Sequence, residues 1–568
     1  MAREREEGRW VMVLSYLFAF VVMLSVLIFV HEAGHFIAAK LCGVRVLKFS
    51  LGFGPAIGFG RHRLSWTRGG TEYVLAWIPL GGFVKMLGEN PDEAADAEVT
   101  AHPGESLPGK RLWQKLSIVF AGPAMNLAFP VVVFVATLAV GIDRRDAVIG
   151  VVEAGSPAMT ASLEPGDRIV ALDGERIRWW DELDEAVYPR PGEALTLVAE
   201  RDGAQREIAL TIGARSALDE FGQVREVGWL GLGHSRLRAM IGIPDAVSAA
   251  AAAGLQPGDV VSAVAGAPVE DWHGFARAYA AAGTGVAVAL EVERGEGEAS
   301  ESLHVSLPGL GDVSALGVVP TSVLISDISP GSPAARGGLE PGDLILSVDG
   351  ETVGSFNSFA ETVRTSGGRT LRLVYARDGR LQQVAIAPEL LSAEVGLGIE
   401  EQRYMVGITA ESASLPGSVA LDRERNPFVS FPRAVGMTVD MTRNFLRGLG
   451  KLVTGEVSRK QLAGPIGIAE IAGNAFQRGW QTYLAVMVLI SINLGILNLL
   501  PIPILDGGQA LLFLIEGVKR GPLSLRTREL VQQVGLTMLV LLMGLAFWND
   551  IARNWSRVVD WLRTGSGL

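Results

Sequence analysis

The sequence predicts a multi-pass α-helical membrane protein with three copies of one small α+β domain inserted between its second and third spans. Two observations carry this prediction. Of the 568 residues 49% are hydrophobic and the mean hydropathy is +0.30, too apolar for an ordinary soluble assembly. The tripeptide Pro-Gly-Asp recurs three times at roughly 85- to 90-residue spacing, the mark of a repeated domain.

Four stretches are long and uncharged enough to cross a bilayer: Val11 to Val30, Leu116 to Ile142, Trp480 to Leu505 and Val531 to Trp548, the last being marginal in length. The first is followed by no small-residue cleavage site, so it is expected to remain as a span and not to be removed as a signal peptide. Arg45, Lys48, Arg61, Arg63, Arg68, Lys85, Lys110 and Arg111 lie between the first two spans, and Lys519, Arg520, Arg526 and Arg528 between the last two. The positive-inside rule makes both loops cytoplasmic. The repeats and both termini then fall on the opposite side, which is the periplasm if the protein sits in the inner membrane of a Gram-negative cell. From Gly141 to Glu400 the net charge is −18, which argues against nucleic acid as a partner. The single cysteine, Cys42, rules out an intramolecular disulfide framework.

The repeats read as Leu163-Glu-Pro-Gly-Asp167, Leu255-Gln-Pro-Gly-Asp259 and Leu339-Glu-Pro-Gly-Asp343, each followed by an apolar strand and a tight turn ending in Gly174, Gly266 or Gly350. Gly155-Ser-Pro-Ala158 and Gly331-Ser-Pro-Ala334 open short helices with a serine at the N-cap, while the middle copy has an alanine run there instead. These features resemble bacterial PDZ domains, which add a peptide as a strand and receive its C-terminal carboxylate in a Gly-rich loop. Candidate loops are Gly231-Leu-Gly233, Leu316-Gly-Val318 and Gly396-Leu-Gly-Ile399, and periplasmic peptide C-termini are the partners that the resemblance implies. The expected organisation is 1–143 for the first two spans, 144–235, 236–320 and 321–411 for the three PDZ-like domains, 412–479 for an amphipathic membrane-surface region, and 480–568 for the last two spans. In that surface region a helix is expected from about Pro432 to Leu452, lying along the membrane or packing under the repeats.

The chemistry sits in the spans. His31-Glu-Ala-Gly-His35 continues directly from the first apolar stretch. On a helix the two histidines fall one turn apart on one face and can reach one zinc ion, with Glu32 flanking them as a general base. Ionisable groups at membrane depth are costly and so read as functional by default. A third ligand is missing locally. Asn498-Leu-Leu-Pro-Ile-Pro-Ile-Leu-Asp-Gly-Gly508 breaks the third span, so its backbone must unwind, and Asp506 is the sole acidic residue between Trp480 and Leu514. Both half-sites lie at the cytoplasmic end of an inward-running span, so they meet at one depth.

This pairing of motifs resembles the site-2 protease family of intramembrane metalloproteases. Phe49-Ser-Leu-Gly-Phe-Gly54, Gly70-Thr-Glu-Tyr73, Ile78-Pro-Leu-Gly-Gly-Phe-Val-Lys-Met86 and Ala121-Gly-Pro123 extend the resemblance over nearly the whole chain. It implies one zinc ion held by His31, His35 and Asp506, with Glu32 catalytic. The implied substrates are single-span membrane proteins, such as an anti-sigma factor already trimmed by another protease, and remnant signal peptides. It also implies a membrane re-entrant β-hairpin, which the run from Tyr73 to Leu87 fits, and substrate contacts at Asn498, Pro501, Pro503, Gly81 and Gly82. Three repeats depart from the usual two. The competing expectation is a non-catalytic PDZ-bearing membrane receptor with structural zinc, against which the presence of Glu32 argues.

Overall fold

The computed structural model describes residues 2–58, 63–89, 102–218, 224–295, 300–394, 400–410, 413–455, 464–521 and 523–553. Arg61, the run 396–399 and the last residues of 480–568 lie outside them. The chain divides into two compact units, one of residues 1–142, 394–401 and 422–568, the other of 143–393 and 402–421.

The first unit is built on apolar helices. α1 (Ala2–Leu41) carries the first span without a break through His31 and His35, and α2 (Leu112–Val140) keeps Pro123 and Pro130 inside it. Among the described residues four helices are long and apolar enough to cross a membrane: Leu14–Leu41, Leu112–Val140, Trp480–Asn498 and Arg526–Ala552. The third is shorter than the expected run to Leu505. It ends at Asn498 because Pro501 and Pro503 have no N–H to continue the ladder and push their neighbours out of the helical region. At 1.5 Å per residue its 19 residues still reach about 28 Å, close to the hydrocarbon thickness. The fourth, marginal in the sequence, lies in a helix that extends from Leu525 to Arg553.

A sheet follows α1. In β1 (Val46–Ala56), β2 (Ser65–Arg68) and β3 (Thr71–Met86), Phe49 pairs with both Tyr73 and Val84, and Leu51 with both Leu75 and Gly82. The two limbs of β3 therefore flank β1, where the sequence suggested a hairpin whose limbs pair with each other. From Lys48 to Leu51 both edges of β1 are thereby paired, which matters wherever water is scarce. Phe49, Val84 and Met86 pack with Ala39 and Ile118, fixing the sheet against α1 and α2.

The amphipathic helix is α6 (Pro427–Thr454), numbered after the repeat helices below; it packs the half-buried Met441 and Phe445 against Val133 of α2 and Val488 and Ile492 of α8 (Trp480–Asn498), and buries Ala434 and Thr438. Between them α7 (Pro465–Gln477) packs Ala472 and Ala475 against Ala19, Met23 and Leu27 of α1. The stretch expected as a surface region thus buries residues of both its helices against the spans. After α8 come α9 (Asp506–Lys519) and α10 (Leu525–Arg553). α10 is tied down by buried Asp550, whose carboxylate accepts from the N–H groups of Gly464, Ile466 and Gly467 at the start of α7.

Among the described residues the second unit shows three copies of one module, each with its own core. Each has a four-stranded antiparallel sheet of one topology, built on Arg168–Leu172, Val260–Val264 or Leu344–Val348, and one longer helix, α3 (Trp180–Val187), α4 (Trp272–Ala281) or α5 (Phe356–Thr365). The Pro-Gly-Asp repeat has a physical reason. Asp167, Asp259 and Asp343 are each 1% exposed and each accept a two-pronged bond from an arginine 34 or 35 residues on, Arg201, Arg294 or Arg377.

One sequence expectation changes here. The middle module does have a capped first helix, Ser248 accepting from Ala251 N as Ser156 and Ser332 do in the others. The glycine that closes on this serine is Gly231 in the first module, Gly317 in the second and Gly407 in the third; the expected loop at 396–399 lies outside the described residues.

Candidate metal centre

One unbroken helix positions both histidines. His31 and His35 are one turn apart on α1, their rings edge to face at 4.8 Å, with Nε2 atoms 3.1 Å apart. Asp506 arrives from the other end of the chain as the first residue of α9, where a helix start favours a negative charge. Its carboxylate lies 3.1 Å from His31 Nε2 and 3.5 Å from His35 Nε2. Gly507 and Gly508 make this approach possible, since a Cβ on either would sit 2.3 Å from Leu499 O or 2.1 Å from Ile502 O. Among the described residues His31, His35 and Asp506 form a group whose ligand atoms all lie within 4.8 Å of one another.

The surroundings suit a cation at that point. His35 Nδ1 is 2.8 Å from Ile118 O, so the proton of a neutral imidazole can sit there and leave Nε2 free to ligate. α2 presents bare backbone to the cluster, because a Cβ on Gly122 would lie 2.3 Å from His35 Nε2 and 2.9 Å from His31 Cε1. Two imidazole nitrogens and one carboxylate match the donors of a catalytic zinc site that keeps a fourth position open. The Glu32 carboxylate makes no hydrogen bond among the described residues and lies beside β3, a Cβ on Gly82 falling 3.0 Å from Glu32 Cγ.

The remaining sequence candidates are placed as follows. Asn498, the last residue of α8, has Nδ2 3.5 Å from His31 Nε2. Pro501 and Pro503 lie on the loop to Asp506, and Pro503 backs onto Gly535 of α10. Gly81 has φ +139 and is covered by the ring of Phe53. Sequence reasoning quoted Gly122 of α2 in the Ala121-Gly-Pro123 run without giving it a place beside the histidines, and missed Asn126, which is fully buried with its amide 3.2 Å from His31 Nδ1. A signal was present, since Asn126 is the one amide in the second apolar stretch.

Residues 19–542 match peptidase family M50. The chain belongs to that family, the site-2 proteases. This M50 peptidase is 31% identical over 536 residues to the regulator of sigma-E protease RseP of Escherichia coli (strain K12), covering 94% of this chain and 98% of the relative. Protease RseP of Yersinia pestis is 31% identical over 542 residues, covering 95% and 99%. A Neisseria meningitidis protein named as a candidate zinc metalloprotease is 30% identical over 550 residues, covering 94% and 99%. A solved PDZ domain of an SdrC-like protein from Listeria monocytogenes is similar over 16% of this chain and 90% of its own, at 23% identity and a TM-score of 0.14. The M50 peptidase is a zinc metalloprotease.

Proposed function

We propose that this zinc metalloprotease hydrolyses peptide bonds within the transmembrane segments of single-span membrane proteins, with His31, His35 and Asp506 holding one zinc ion and Glu32 as general base. The observation that carries this is the convergence of two histidines and a carboxylate, within 4.8 Å, on helices apolar enough to cross a membrane or adjoining one. Zinc bound there would act as a Lewis acid, lowering the pKa of water and polarising the scissile carbonyl. Glu32, whose carboxylate is free of hydrogen bonds to described residues, takes a proton from the attacking water and returns it to the leaving amine nitrogen. His31 and His35 contribute neutral Nε2 lone pairs and Asp506 a negative charge. Asn498 offers an amide to the substrate backbone, Pro501 and Pro503 shape the loop beside it, and Gly81 and Gly82 keep a strand free of side chains next to Glu32. An unwound substrate is needed because a transmembrane helix hides its peptide bonds.

The relatives named as regulators of sigma-E support a pre-trimmed anti-sigma factor as one substrate, in envelope stress signalling; remnant signal peptides are a second class. The protein is then an inner-membrane protease with a re-entrant β-sheet, its active site towards the cytoplasm, and three PDZ-like modules and both termini in the periplasm. The modules act as a size filter, and the Gly-closed loops at Gly231, Gly317 and Gly407 are their candidate acceptors for peptide C-termini. Deleting residues 147–408 should let untrimmed single-span substrates be cut as fast as trimmed ones. A folded deletion variant that cleaves neither would refute the filter.

A further inference from the structure

α2 faces the far nitrogen of both histidines. For His35 the group met there is the Ile118 carbonyl, 2.8 Å from Nδ1. For His31 it is the Asn126 side-chain amide, whose Nδ2 lies 3.2 Å from Nδ1. On the reading of the site given above, both rings ligate zinc through Nε2, because those atoms face Asp506. A neutral imidazole that ligates through Nε2 carries its proton on Nδ1, and that N–H requires an acceptor. The Ile118 carbonyl is one. An amide NH2 is not, since two donors cannot satisfy each other.

Asn126 resolves this by a half-turn of its amide. Its Oδ1 is buried and has no hydrogen-bond partner among the described residues. The two ends of an asparagine amide are nearly equal in shape, so a 180° rotation brings Oδ1 to the place now held by Nδ2. Rotated, it brings an unpartnered buried acceptor onto the Nδ1–H of His31, a buried donor that would otherwise face a second donor. The residue is itself held in place. Asn126 is fully buried, and its backbone carbonyl accepts from Ser491 Oγ of α8 at 2.8 Å.

We infer that Asn126 is a positioning residue for the metal centre: its Oδ1 accepts the Nδ1–H of His31 and so fixes the tautomer and ring orientation that aim Nε2 at zinc. α2 thereby orients both histidines, one through a backbone carbonyl and one through a side chain. Only the second can be edited by substitution.

The test is the zinc affinity of the purified full-length protein, measured by chelator competition, for wild type, Asn126→Leu, Asn126→Asp and Ser491→Ala. Loss of an outer hydrogen bond to a ligating histidine weakens metal binding about 10- to 100-fold, and Asn126→Leu should do so. Asn126→Asp, which keeps an acceptor, should bind zinc at least as tightly as wild type, and Ser491→Ala, which removes a bond to the Asn126 backbone carbonyl but leaves the side-chain acceptor, should lose less affinity than Asn126→Leu. Equal losses in the Leu and Asp variants, or no loss in the Leu variant, overturn the inference. If Asn126→Leu does not fold, nitrogen NMR of zinc-loaded wild type labelled at histidine decides. A protonated, exchange-protected Nδ1 on His31 supports the assignment, and an unprotonated one overturns it. Wild type that holds no zinc removes the reading of the site itself.

Discussion

Replacing Gly122 by alanine adds a methyl group where the structure has no room for one. Its Cβ would lie 2.3 Å from His35 Nε2, 2.6 Å from His35 Cε1 and 2.9 Å from His31 Cε1, where ordinary contact needs about 3.5 Å. Relief by separating α1 from α2 is also resisted, because the two already touch through Gly34, where a Cβ would meet Ala121 O at 2.3 Å. The His35 ring must therefore retreat by about 1 Å, and zinc–nitrogen bonds of about 2.0–2.1 Å tolerate only about 0.2 Å. We expect zinc affinity to fall by about 100-fold or more, and peptide hydrolysis by at least 100-fold, the usual cost of a 1 Å misplacement. The assay is zinc content against a graded chelator series, with cleavage of a single-span substrate followed in parallel. Gly436→Ala on α6 is the matched control, since its Cβ would meet nothing within 4 Å and should leave both readings unchanged. A Gly122→Ala protein that binds zinc and cleaves within threefold of wild type would refute the argument that bare backbone at this position sets the ring of His35.

Two further predictions concern the repeated modules. Arg294→Ala strips the guanidinium from Asp259, a carboxylate 1% exposed, and should destabilise the middle module by about 3–5 kcal/mol, read as loss of hydrogen-exchange protection confined to residues 239–318; unchanged protection there would contradict the clamp. Asp184 of the first module is pushed up to about 6, chiefly by burial, with Asp181 and Glu185 adding to the rise. A carboxyl raised in the folded state binds more protons folded than unfolded, so its contribution falls as pH rises from 3.8 to about 6 and is flat above. Asp184→Asn should therefore be more stable than wild type at pH 8, with the difference vanishing below pH 3.8; an equal difference at both pH values would contradict the shift.

Much of the site was legible because its chemistry is written in rare residues. Two histidines and a glutamate at the end of an apolar run, and a single carboxylate after a Pro-broken one, stand out from a background of aliphatics. The structure brings the histidines and the second carboxylate within 4.8 Å of one another. What the sequence hid depends on three-dimensional proximity or on context. Asn126 is an unremarked amide until α2 is laid beside His31, and Gly122 is an ordinary helical glycine until a Cβ is set against His35. The run from Tyr73 to Leu87 reads as one hairpin because alternation cannot say that β1 lies between its limbs. Ser248 was overlooked beside an alanine run, although it caps that helix as its counterparts do. Arg201, Arg294 and Arg377 recur at a fixed distance from the Pro-Gly-Asp repeats, a spacing that gains meaning only once the sheet brings each pair together.

The central claim, that Glu32 works as a base beside a zinc ion held by His31, His35 and Asp506, is tested most directly by one comparison. Wild type and Glu32→Gln are purified in parallel, zinc per chain is determined, and cleavage of a trimmed single-span substrate is measured. The account predicts that both hold one zinc ion and that only wild type cleaves. A Glu32→Gln protein that holds zinc and cleaves at the wild-type rate, or a zinc-loaded wild type that cuts none of several such substrates, would contradict it.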